Sequence, residues 1–141
     1  MKDMEELAAL AVDCGLALHR DLGPGLLESV YEAILAAALT RAGVKVERQK
    51  PIEITYDGLH LKEGFRADLL IEGTLIIEVK SVERLAAVHS RQLLTYLCLS
   101  KLPLGLLMNF GGGTFREGLK RVVNSHVATA TSPLRINNPM P

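Results

Sequence analysis

Along the first forty or so positions, apolar side chains return every three or four residues. Met4, Leu7, Ala8, Ala11, Cys14 and Leu18 keep that spacing, and Val30, Ile34, Leu35, Ala38 and Leu39 keep it again. Side chains three and four apart line one face of a helix, so the pattern predicts helices over about residues 4–19 and 26–41. Between them Asp21, Leu22, Gly23, Pro24 and Gly25 break the period with turn residues, and Gly43 supplies a stop after the second helix. The period then falls to two. Val44, Val46, Ile52, Ile54 and Tyr56 alternate with polar residues, and Asp57 followed by Gly58 is a hairpin signal. Two further strands are expected over about residues 66–71 and 74–80, turned around Glu72 and Gly73. Their runs Leu69-Leu70-Ile71 and Leu75-Ile76-Ile77 are nearly continuous, as in central strands covered on both faces. A third helix over about residues 85–100, a strand over about 104–110 and a short element ending at Val123 complete the pattern.

This order predicts an α/β domain over residues 1–124, with a mixed central sheet flanked by helices. The connection from Lys80 through the third helix to Leu104 is long enough to set those two strands parallel. Residues 125–141, rich in Pro, Asn, Ser and Thr, read as a loosely held tail. A length of 141 residues fits one domain with a real core. Sixteen basic residues balance sixteen acidic ones, so any nucleic-acid contact must come from a local patch rather than bulk charge. Cys14 and Cys98 sit in apolar helical patterns without zinc spacing, which predicts neither a structural zinc nor a disulfide. The charged N-terminus and the short apolar run at residues 33–39 predict a soluble cytoplasmic protein with no membrane span.

The chemistry concentrates at Asp68 and, ten residues on, Glu78-Val79-Lys80. Alternation sets Glu78 and Lys80 on one face of a strand with Val79 turned away. If Asp68 lies across from Glu78, two carboxylates share a face and can share a divalent cation. The turn decides this: a two-residue loop at Glu72 and Gly73 pairs Asp68 with Ile77 and sends Glu78 away. A three-residue loop, a bulge or a strong local twist is therefore required. Glu28 and Tyr31 share a helix face, as do His89, Gln92 and Tyr96. The second set also reads as a solvent-facing stripe, and Glu28 also suits a helix N-terminus. A structural ion cluster is the alternative for Asp68, Glu78 and Lys80, but a buried Glu-Lys pair is costly to desolvate, which favours a site.

Asp68, Glu78-x-Lys80 and Gln92-x-x-x-Tyr96, preceded by a helical Glu, resemble the PD-(D/E)XK nuclease superfamily, the last element resembling its RecB-like exonuclease branch. Gly25-Leu26-Leu27-Glu28-Ser29-Val30-Tyr31 is similar to the signature of the small GxxExxY proteins placed in that superfamily. Phe65-Arg66-Ala67-Asp68, His89-x-x-Gln92 and Leu106-Leu107-Met108-Asn109-Phe110-Gly111 extend the likeness, with Ala67 where a Pro is common. The resemblance implies a restriction-endonuclease-like core and magnesium- or manganese-dependent cleavage of phosphodiester bonds. Asp68, Glu78 and the Val79 carbonyl would be metal ligands, with Glu28 supporting the metal through water. Lys80 would orient or deprotonate the attacking water. Gln92 and Tyr96 would brace the site and touch the nucleic-acid backbone, His89 is a candidate phosphate or metal contact, and Arg66 and Tyr31 are counted among the substrate-binding residues.

Three readings follow for function. One is a metal-dependent nuclease with DNA as its expected substrate, acting at ends or on single strands. The second is a nucleic-acid-binding or accessory module that cuts only with a larger DNA-processing partner, a reading that neutral charge and few aromatics favour. The third is a self-assembling metal-binding protein. Apolar faces in so small a domain, with Gly111, Gly112 and Gly113 after a strand, point to a homo-oligomer.

Overall fold

The computed structural model describes residues 2–125; the expected loose tail falls outside the described residues apart from Ser125. Helix α1 (Met4–Leu22) begins with a reciprocal cap: Asp3 accepts from the Glu6 amide at 2.9 Å, and the Asp3 amide donates to Glu6 Oε1 at 3.0 Å. It runs a turn beyond the expected end because Asp21 and Leu22 stay helical until Gly23, at φ 69°, closes it. Helix α2 (Glu28–Arg41) follows antiparallel-fashion after a five-residue connection of residues 23–27.

Strands β1 (Val46–Tyr56) and β2 (Leu59–Ile71) form a hairpin turned by Asp57 and Gly58, both at positive φ, the turn whose twist matches paired strands. Strand β2 is longer than the expected 66–71. Its first half pairs only with β1 and is exposed on both faces, so the short alternation of Leu59 and Leu61 with His60 and Lys62 reports no burial. Strand β3 (Leu75–Lys80), helix α3 (Ala87–Ser100), strand β4 (Leu104–Asn109), the single-turn helix α4 (Phe115–Gly118) and strand β5 (Leu119–Val123) complete the chain.

The five strands lie in sequence order, antiparallel except for the parallel pair β3 and β4 across α3. The expected α/β class with a mixed sheet is therefore the observed one. Helices α1 and α2 cover one face, over Leu69, Ile71, Ile77, Leu106 and Met108, while α3 covers the other, over Leu70, Ile76 and Leu107. Burial on both sides explains the continuous apolar runs of β3 and β4. Both cysteines are free. Among the described residues no helix is long and apolar enough to cross a membrane.

Candidate active site

The turn between β2 and β3 holds three residues, Glu72, Gly73 and Thr74, because Ile71 pairs with Leu75, Leu70 with Ile76 and Leu69 with Ile77. Continuing that register brings Asp68 opposite Glu78. There the backbone ladder gives way to side chains. The Val79 amide donates to Asp68 Oδ2 at 2.8 Å, and the Asp68 amide donates to Glu78 Oε2 at 3.0 Å. Each carboxylate thus caps the other strand's amide, and the two acids are fixed side by side at the carboxyl end of β3.

Glu78 is only 7% exposed. Burial first, then the charge of Asp68, pushes its carboxyl up to about 8, against a smaller downward pull from Lys80. The Tyr96 hydroxyl is also raised, by burial and then by the charges of Glu78 and Asp68, which puts the α3 tyrosine within electrostatic reach of the pair. Its ring stacks on Phe65 with centroids 3.9 Å apart. Lys80 is half-buried and forms no ion pair among the described residues.

Glu28 opens α2 and accepts the Ser81 amide at 3.3 Å, while Ser81 Oγ donates to the Leu26 carbonyl at 2.7 Å. These bonds tie the start of α2 to the residue after Lys80. The next residue is tied from the other side: Asn109 accepts the Val82 amide at 2.9 Å and donates to the Val82 carbonyl at 2.9 Å. Gly111 permits this approach, since a Cβ there would stand 2.3 Å from the Val82 oxygen.

Tyr31, expected among the substrate contacts, is fully buried. Its ring stacks on Phe110 at 4.7 Å, and its hydroxyl donates to the Gly23 carbonyl and accepts the Leu26 amide. It anchors the loop that delivers Glu28 and is closed to any ligand. Arg66 is exposed and paired with Glu63. His89 Nδ1 accepts the Ala86 amide at 3.1 Å at the start of α3, and Gln92 is exposed one turn before Tyr96.

Two further neighbours, Gln49 and Glu32, were not among the expected site residues. Gln49 in β1 stands in line with Asp68, since Arg48 pairs with Leu69 and Lys50 with Ala67. It adopts φ 48° and donates to Asp68 Oδ1 at 3.1 Å and to Glu32 Oε1 at 2.8 Å. Glu32, 5% exposed, also accepts from Arg48 Nε at 3.2 Å, and its charge adds to the upward push on Glu78. A carboxylate one turn after Glu28 in a helix otherwise rich in Ala and Leu was the available signal for Glu32; nothing marked Gln49.

Among the described residues no three carboxylate, imidazole or thiol groups stand ready together as a metal cage. The donors that converge are Asp68 and Glu78, hard oxygen ligands of the kind magnesium and manganese take. A buried carboxyl driven upward by its neighbour is relieved by a proton or by a cation, so the pair fits a divalent ion in a partly hydrated, two-carboxylate site. Neither the curated proteins nor the solved structures offer a match to this chain. The sequence model of the PD-(D/E)XK nuclease superfamily matches residues 5–122, which carry all five strands but for the last residue of β5, together with every residue of the site, and the chain belongs to that superfamily.

Proposed function

We propose that the protein is a metal-dependent nuclease that hydrolyses phosphodiester bonds of DNA. The observation that carries this reading is the reciprocal Asp68 and Glu78 pair, with Lys80 two residues on along the same strand face. Asp68, Glu78 and the Val79 carbonyl would hold magnesium or manganese, with Glu28 supporting it through water. The ion supplies Lewis-acid stabilisation of the charge that develops on the phosphoryl oxygens. Lys80 Nζ holds the attacking water and takes or relays its proton as the new P–O bond forms, while the leaving oxygen departs with a proton from solvent. Tyr96 and Gln92, on the helix over the carboxylates, bear on the nucleic-acid backbone, with His89 and Arg66 as outer phosphate contacts. The likeness of Gln92-x-x-x-Tyr96 to the RecB-like branch, and of the residues around Glu28 to the GxxExxY proteins, supports action at DNA ends or single strands.

A second reading has its own support. Arg48, Arg66 and Arg121 are each paired with a carboxylate, which lowers the charge they offer to a phosphate track. That favours a module that binds weakly alone and cuts with a DNA-processing partner. One assay separates the two: labelled single- and double-stranded DNA and RNA incubated with magnesium or manganese. Metal-dependent cutting that vanishes in Glu78→Ala and Lys80→Ala supports the nuclease. Absence of cutting by folded protein on every substrate overturns it in favour of the accessory reading.

A further inference from the structure

Helix α2 is apolar on both sides. Its inner face, with Tyr31, Leu35 and Leu39, is sealed in the core. Its outer face carries Leu27, 73% exposed, and Val30 and Ile34, each more than a third exposed. Helices apolar all round are ordinarily buried all round. Helix α1 extends the patch with Leu22 and Ala17, and the two helices enclose a groove of about 570 Å³ floored by these residues with Ile34 and Ala38. The rim is charged, with Asp13 and Asp21 on α1 and Arg41 on α2.

We propose that this groove and the outer face of α2 form the interface of a two-fold symmetric dimer, the occupant being a second copy of the chain. The charges around Ile34 are placed so that a second copy fits. Leu27 and Arg41 each stand seven residues, about two helical turns, from Ile34. A two-fold axis through Ile34 lays the two α2 helices antiparallel and carries Arg41 of one copy to the Leu27 end of the other. Asp21 stands at that end, because the short connection of residues 23–27 joins α1 to the start of α2. An apolar centre with Arg41 at one end and Asp21 at the other complements itself under that rotation, as a closed dimer requires, while Asp13, which with Arg41 acts on Cys14, is the anion of the same chain that competes for Arg41. Arg41 has no ion pair among the described residues, and Asp21 has only the exposed Arg20 at 3.6 Å, so both are available to the partner. An unrelated partner would have to supply this spacing by design; a second copy supplies it by symmetry.

Sedimentation of the full chain over a concentration series tests the proposal. The wild type is expected to dimerise, Ile34→Asp to weaken dimerisation about a hundredfold, and Arg41→Asp by about tenfold. Combining Arg41→Asp with Asp21→Arg is expected to restore it, a rescue that misfolding cannot imitate; circular dichroism checks that each variant is folded. A wild type that stays monomeric throughout, a dimer indifferent to Arg41→Asp, or a double variant no better than the single overturns the interface.

Discussion

Gln49 holds a left-handed backbone, φ 48°, directly in line with Asp68, and its amide donates to that carboxylate at 3.1 Å. A residue with a Cβ in this region carries a conformational cost of about 1–2 kcal/mol, which the two hydrogen bonds to Asp68 and Glu32 offset. The bond leaves Oδ1 oriented and Oδ2 on the Val79 amide, so Asp68 has one rotamer to offer a ligand. Gln49→Gly and Gln49→Ala are both expected to lower cleavage about 10- to 100-fold, while Gly is the more stable of the two by about 1 kcal/mol. Kinetics beside thermal denaturation check this. Retained activity in the Gly variant would show that the backbone, not the amide, matters.

Glu78 predicts an unusual pH dependence. Its carboxyl lies near 4.5 in the unfolded chain and at about 8 in the folded one, so between those values the folded state keeps a proton the unfolded state has released. The stability contributed by protonated Glu78 is full below about 4.5 and is lost as pH rises through about 8. Metal-free melting curves are expected to show this decline, and Glu78→Gln to flatten it, leaving the variant about 1–2 kcal/mol more stable at the alkaline end. Added magnesium or manganese is expected to raise the melting temperature of the wild type there, and not that of the variant.

Lys80→Ala and Asp68→Asn are expected to reduce turnover by about 10²- to 10⁴-fold without unfolding the protein. Lys80→Arg separates charge from proton transfer, since a guanidinium keeps the charge and holds its protons at any working pH. Rescue by Arg in single-turnover cleavage would assign Lys80 to positioning.

Tyr31→Phe removes a hydroxyl that serves the loop before α2 through two hydrogen bonds. The expected loss is about 1–2 kcal/mol in stability. Cleavage is expected to fall only as far as Glu28 is displaced, which chemical denaturation and kinetics on the same preparation would show. An unchanged stability would remove the anchoring role.

What the sequence made legible was governed by short-range rules. The helices and central strands announce themselves because apolar spacing reports burial directly, and the Asp68 and Glu78 face could be posed as a question of turn length because strand alternation has only two answers. The outer half of β2 was missed, although the β1 alternation and the Asp57-Gly58 turn were legible, because residues 59–64 are exposed on both sides and no burial pattern marks them. Tyr31 misled because an aromatic one turn from Glu28 suggests a ligand contact, whereas its ring turns back into the core. Gln49 was illegible for a deeper reason: a left-handed residue inside a strand depends on the tertiary bonds that reward it, and no local signal encodes them.

The turn at Glu72, Gly73 and Thr74 lies four residues from each carboxylate and touches neither. Yet its length sets the parity of both strands. A different side chain at Thr74 changes a local bond, whereas one residue added or deleted there swings one acid through to the α1 and α2 side of the sheet with every letter of the site intact. The chemistry is therefore written partly as a count, and a scan of this domain that tried only substitutions would overlook one of the turn's strictest constraints.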